Sequence, residues 1–236
     1  GLPHTTTTKL SISRIADDWY IAFAYEQECP LTPKSVDVVG VDLGVKELAT
    51  LSTGVTFPNP KAYKKNIQKL KRLSKSLARK TKGSNNRNKS RTKLARHHNR
   101  VSNIRKDSLH KVTNYLCKNH AVIVVEDLNV AGMMSNHKLA QSIADCGFYE
   151  FKRQLEYKSK KFGSRLVLAD RCYPSSKTCS NCGCKKESLL LSERVYSCEC
   201  CGHVMDRDLN AAINLSQCVA RVPRVEVPGV SRRALA

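Results

Sequence analysis

Two short cysteine pairs near the C-terminal end, KTCSNCG and YSCECCG, limit what this chain can fold into more than any other stretch of it. Cys179 and Cys182 form the first pair, Cys198 and Cys201 the second, with fifteen residues between them and a glycine directly after each. A CxxC pair requires a tight turn, and four thiolates at this spacing close a tetrahedron around Zn²⁺ with no open position. The segment is therefore expected to fold as a zinc ribbon, a structural site that stabilises a loop without its own core and performs no hydrolysis. Cys184 and Cys200 fall out of phase with the two turns and are expected to be bystanders, and His203 reads as a loop histidine rather than a substitute ligand. Cys29, Cys117, Cys146, Cys172 and Cys218 are scattered, as free, partly buried thiols would be. Eleven cysteines suit a disulfide scaffold only in a small secreted domain, and no export signal is visible; a reducing cytosol with a zinc site is the better reading.

Carboxylates form the second constellation. VDVVGVDLG (36–44) and AVIVVEDL (121–128) are short β-branched runs that read as buried strands, and each places an acid at its C-terminal end, Asp42 and Glu126. Asp206 and Asp208 open a helix expected over about residues 207–217. The duller readings are a turn former at Asp42 before Gly44 and a cap at Glu126 or Asp127. Taken together, the acids suggest a cluster whose mutual repulsion calls for hard divalent cations. Two such ions roughly 4 Å apart would activate a water and stabilise the leaving oxygen of a phosphodiester.

The remaining periodicities give the order of elements. Residues 9–28 alternate as two strands around Asp17-Asp18, and ELATLSTGVTF (47–57) reads as a hairpin turning at Thr53-Gly54. From Lys61 the period becomes helical; KGSNNRNKS (82–90) is expected to break it, and a second helix continues to Leu116. After a loop with Gly132 and Asn136, a helix is expected over about 145–162 and a strand over 164–170. Three strands, a helical insertion, strand, helix, strand, cysteine module and helix is the succession of an α/β, ribonuclease H-like mixed sheet. In such a sheet the strands of Asp42 and Glu126 are parallel neighbours where strand order reverses, the usual ligand crevice.

The net charge of +21 is concentrated in the helical insertion. Residues 61–118 carry 20 Lys and Arg against one acid, Asp107. Such a block attracts a polyanion, most often nucleic acid, with a solvated face or anionic lipid as the alternatives. The expected contacts are Lys64, Lys65, Lys71, Arg72, Arg79, Lys80, Arg87, Lys89, Arg91, Arg96, Arg100 and Arg105. Aromatics are few, at 6%, so base-stacking platforms are not indicated. No run of eighteen apolar residues occurs, so no membrane span is expected. The start, GLPHTTTTKL, reads as a cut or processed end.

The stretches VGVDLGVKELAT, VVEDLNVAGM, SNNRNKSRTKLARHHNRVSNIRKDSLHK, QLEYKSKKFGSRLVLADRCYPSSKTCSNCG and YSCECCGHVMDRDLNAAINL resemble the RuvC-like domain and zinc ribbon of TnpB (OrfB) proteins. These are insertion-sequence-encoded relatives of type V CRISPR effectors, and the resemblance runs from about residue 9 to 216. It implies an RNA-guided DNA endonuclease of the prokaryotic cytosol, with a guide RNA derived from the transposon end and double-stranded target DNA as partners. It also implies catalytic Mg²⁺, for which Mn²⁺ could substitute, held by Asp42, Glu126 and Asp208. A two-residue step turns a helix position by about 200°, so Asp206 and Asp208 cannot face one metal pair. Asp208, in D-x-N-A-A, is the expected ligand, Asp206 a cap, and Asn210 a residue orienting a neighbour of the site. The implied divisions are a remnant of an N-terminal β domain (1–30), the RuvC-like domain (31–171) with its basic hairpin (61–118), the ribbon (172–204), the last helix (205–217) and a disordered tail (218–236). Most of the family's N-terminal part is missing from that match. A non-cleaving regulator or transposition accessory, or an inert remnant, are the alternatives, and oligomeric state is not legible.

Overall fold

The computed structural model describes residues 9–24, 32–190 and 193–218. Cys29 and the tail beyond residue 218 lie outside these residues. Strands β1 (Lys9–Ile15) and β2 (Asp18–Ala24) form an antiparallel hairpin of their own, tied to the rest by the ion pair Arg96–Asp17. The main sheet has β3 (Val36–Leu43), β4 (Glu47–Leu51), β5 (Thr56–Pro58), β6 (His120–Glu126) and β7 (Arg165–Ala169), in spatial order β5-β4-β3-β6-β7. β3 to β5 are antiparallel, whereas β3, β6 and β7 are parallel, giving the mixed sheet that the sequence order predicts.

Helices α1 (Ala62–Ala78) and α2 (Asn85–Asn119) connect β5 to β6. α3 (Val130–Met134), α4 (His137–Cys146) and α5 (Phe148–Phe162) follow β6. β8 (Val195–Ser197) and β9 (Val204–Asp206) pair within the cysteine segment, and α6 (Arg207–Cys218) closes the described fold.

The sheet has two covered faces because its strands alternate. Val39, Val41, Ile123 and Val125 point into one core with Leu109, Val112 and Leu116 of α2 and Phe151 and Leu155 of α5. Val38, Val122, Val124 and Val167 point the other way, onto Leu215 of α6. Gly40 lies on that second face, where a Cβ would come within 1.9 Å of the Ala212 carbonyl oxygen and 2.5 Å of the Ser216 nitrogen. Glycine at 40, with Ala211 and Ala212 opposite and fully buried, lets α6 lie directly on the backbone of β3. Lys34 joins the ends of two helices, its Nζ donating to the carbonyls of Cys117 (α2) and Phe162 (α5), where helix dipoles favour a cation.

Three expectations need correction. The helix break is shorter than 82–90: Ser84 caps α2, its hydroxyl accepting from the Arg87 N–H at 3.2 Å, so the helix already runs from Asn85. Gly83, at φ 84°, makes the turn, and the asparagines after it extend the helix once it is capped. The expected loop around Gly132 and Asn136 holds α3 and α4, with Asn129 and Asn136 accepting from the Gly132 and Lys138 N–H groups as N-caps. Of the two residues read as loop formers, Asn136 starts α4 and Gly132 lies within α3, and Gly147, at φ 71°, delays the next helix to Phe148. Finally, Cys184 and Cys200 are not bystanders. Cys184 lies just after the first CxxC turn and Cys200 inside the second, and the approach of the two turns joins them as a disulfide with a Cα–Cα distance of 6.4 Å.

Candidate functional site

The register of the parallel pair brings the two strand-end acids together. Val41 is paired with Val125, so Asp42 and Glu126 are the next residues along neighbouring strands. Both fall on the face that carries Gly40 and Val124, the one covered by α6, whose first turn holds Asp208. Asp42 is pushed up to about 8, first by burial and then by the charges of Asp208 and Glu126; Arg207 opposes the shift. Burial raises Glu126 as well. A buried carboxylate whose proton is held on by its acidic neighbours, as at Asp42, marks a site with a deficit of positive charge, which a divalent cation relieves.

The neighbouring acids behave differently. Asp206 caps α6: its Oδ1 accepts from the Asp208 N–H at 2.9 Å and the Leu209 N–H at 3.0 Å, as its position predicts. Asp127, directly after Glu126, is paired with Lys152 and Arg171, each at 2.9 Å, and is held below the usual carboxylate range by those bonds. Its charge is compensated by these two cations, while among the described residues no ion pair reaches Glu126. A cleft of about 420 Å³ opens beside Glu126, with Leu43, Leu128, Phe148, Tyr149 and Lys152 in its walls; no sequence pattern signals it.

The Sγ atoms of Cys179, Cys182, Cys198 and Cys201 all lie within 4.8 Å of one another. Cys179 and Cys198 are buried, Cys182 and Cys201 exposed, and the fully buried Tyr196 packs against them. The backbone N–H of His203 and the amide of Asn181 pull the Cys201 thiol down, while Cys182 beside it is pushed up. Four sulfurs so close together fit a soft or borderline cation. His203 is not among them, its Nε2 lying 3.3 Å from the Met205 sulfur.

The twelve cations expected at a nucleic-acid surface divide into two sets. Arg87 donates to the carbonyls of Leu77 and Lys80 at the end of α1, Arg96 pairs with Asp17, and Arg105 pairs with the buried Asp145. Lys64, Lys65, Lys71, Arg72, Arg79, Lys80, Lys89, Arg91 and Arg100 are exposed along α1, α2 and their connection.

Asn210, expected to orient a neighbour of the site, and Asn214, which the sequence reading passed over, bind α6 to the first cysteine turn. Asn210, fully buried, donates to the Thr178 carbonyl at 2.7 Å and accepts from the Ser180 N–H at 3.0 Å. Asn214, 1% exposed, donates to the carbonyls of Ser175 and Thr178 at 2.7 and 2.6 Å. The available signal is a pair of amides one turn apart on a helix stripe that is otherwise Ala and Leu.

Two family models match. OrfB_IS605, described as "Probable transposase", covers residues 22–137, and the Cas12f1-like TNB domain covers residues 148–215. A Streptomyces pristinaespiralis protein named "Putative RNA-guided DNA endonuclease" is 40% identical over 210 residues, covering 89% of this chain and 52% of its own length. InsQ of Escherichia coli K12, given the same description, is 38% identical over 223 residues, covering 87% and 55%. The chain thus spans about half the length of the curated relatives it matches. A solved Cas12f1–sgRNA–target DNA complex has a similar fold, with a TM-score of 0.54 at 16% identity over 88% of this chain and 55% of the other. The two models lie ten residues apart along the chain, and with these relatives and the TnpB-like protein L79 of Acanthamoeba polyphaga mimivirus, 36% identical over 128 residues (52% of this chain, 24% of its own length), they make the chain a member of the TnpB (OrfB) family.

Proposed function

We propose that the chain is the nuclease half of a TnpB-type, RNA-guided DNA endonuclease: a RuvC-like carboxylate site beside a structural zinc ribbon. The observation that carries this reading is the placement of Asp42 and Glu126 side by side on the sheet face covered by α6, whose first turn holds Asp208, with Asp42 pushed up to about 8 by burial and by the other two. Asp42, Glu126 and Asp208 would hold Mg²⁺, which supplies a bound water of lowered pKa and neutralises charge on the scissile phosphate. The three carboxylates orient that chemistry from two rigid strands and a helix start. Lys152 and Arg171 keep Asp127 out of the ligand set. Cys179, Cys182, Cys198 and Cys201 would hold Zn²⁺.

The nine exposed cations of α1, α2 and their connection would track the backbone of a guide RNA or target DNA. The InsQ and Streptomyces names, and the RNA and DNA in the Cas12f1 complex, support the same partners for this chain. The expected divisions at residues 31–171, 172–204 and 205–217 are proposed on the same basis. The test is expression with the adjacent genomic RNA, a matched plasmid and Mg²⁺. Cleavage should vanish in both Asp42→Ala and Glu126→Ala; cutting that persists in both overturns the site.

A further inference from the structure

We infer that Asn210 and Asn214 are positioning residues that couple the cysteine metal site to the carboxylate site, by clamping the first cysteine turn onto the helix that carries Asp208. The inference rests on the proposed metal sites but goes beyond them. Asn210 bonds on both sides of Cys179, to the Thr178 carbonyl and the Ser180 N–H, while Asn214 holds the Thr178 and Ser175 carbonyls one turn later. Tyr173 adds a bond from its hydroxyl to the Asn214 carbonyl at 3.1 Å. The backbone around Cys179 thus has its buried polar groups satisfied by α6, and α6 has its two buried amides satisfied by that backbone. Neither can shift without leaving several of these groups unpaired.

On its other side α6 lies against Gly40, two residues before Asp42, with no room for even a methyl group. Asp208 is therefore fixed relative to Asp42 from two directions: by contact with β3 and by the clamp to the cysteine turn. Closing the four thiolates on a metal rigidifies that turn, and rigidity passes to the first turn of α6 through two side chains. Coupling of this kind is reciprocal: filling the carboxylate site must also hold the thiolate-bound metal more tightly. The nearness of the second turn to α6 in sequence does not achieve this, because the buried bonds run to the first turn, some thirty residues away.

The test uses the whole chain with one equivalent of zinc. Mn²⁺ binding is measured by titration, zinc release by a chromophoric chelator, and exchange of the α6 amides by mass spectrometry. In the wild type, removing zinc or introducing Cys182→Ser should weaken Mn²⁺ binding about tenfold, the size typical for groups that orient metal ligands. It should also speed exchange in residues 208–212, and Mn²⁺ should slow zinc release. The Asn210→Ala/Asn214→Ala variant should bind zinc stoichiometrically, bind Mn²⁺ as weakly as the zinc-free wild type, and lose the response of each site to the other. Gln217→Ala, which removes one long bond of an exposed residue to the Ser180 carbonyl, should leave all three readouts unchanged. Coupling that survives in the double variant overturns the inference. If the double variant does not fold, the single Asn214→Ala variant must show reduced coupling, and full coupling there overturns it equally. A wild type that binds no Mn²⁺ at all sinks the carboxylate reading instead. The exchange of α6 must still depend on zinc in the wild type and not in the variant, and failure of that alone overturns the clamp.

Discussion

Asp206 and Asp208 are separated by one residue and assigned opposite tasks. Asp206 spends its carboxylate on the N–H groups of Asp208 and Leu209, so Asp206→Ala should cost about 1 kcal/mol in a denaturant melt, as lost caps do, and leave cleavage measurable. Asp208→Ala should abolish cleavage with little change in stability; equal loss of cutting in both variants would refute the division. The raised Asp42 gives a stability signature of its own. The folded state holds a proton that the unfolded chain releases near 3.8, so the folded state binds more protons between there and about 8. Metal-free protein should therefore lose stability as pH rises through that window, and Mg²⁺ should flatten the slope. Thermal melts at stepped pH, with and without Mg²⁺, measure it. Gly40 carries a steric demand: Gly40→Ala drives a methyl into the backbone of α6 and should cost at least 1–3 kcal/mol.

Among the elements, α1 depends on a distant acid. Asp145, at the end of α4, accepts from the backbone N–H groups of Tyr63 and Lys64 and from Arg105 of α2, so one buried carboxylate starts one helix and holds another. Asp145→Ala leaves a half-buried guanidinium and the first N–H groups of α1 unpaired, and should cost about 3 kcal/mol by urea unfolding. Asp145→Asn, which keeps one acceptor oxygen, should cost less. This dependence explains why Lys61, at φ 47°, can precede a helix that has no local side-chain cap. The pattern of α1 and α2 was legible from Leu70, Val101, Val112 and Leu116; the starts of α2, α3 and α4 were not, because capping hydrogen bonds at Ser84, Asn129 and Asn136 outweigh the weak helix propensity of Ser and Asn.

Across the whole molecule, charge and metal divide the chain into regions with separate tests. Nucleic-acid affinity should fall steeply with salt, and replacing one exposed cation of the helical pair, such as Arg72 or Lys80, should reduce the log–log slope by about 1. Arg87→Ala and Arg105→Ala should instead act through stability, since those guanidiniums bond within the chain. Zinc content should be near one per chain and lost in Cys179→Ser, and metal analysis checks it. No helix among the described residues is long and apolar enough to cross a membrane.

The mixed sheet, the basic helical pair, the two cysteine turns and the acids ending two strands were readable along the chain, because each is a local pattern: alternation, a 3.6-residue period, a CxxC turn, a charge ending an apolar run; Asp208 was singled out by the family resemblance instead. What the sequence left open depends on partners far apart in it. The compensation of Asp127 by Lys152 and Arg171, the withdrawal of Arg87, Arg96 and Arg105 from the basic face, and the pairing of Cys184 with Cys200 are decided by which elements meet. So is the task of Asn210 and Asn214. An amide on a helix looks the same in sequence whether it faces water or a buried carbonyl, and only packing α6 between β3 and the first cysteine turn gives it buried partners and a role.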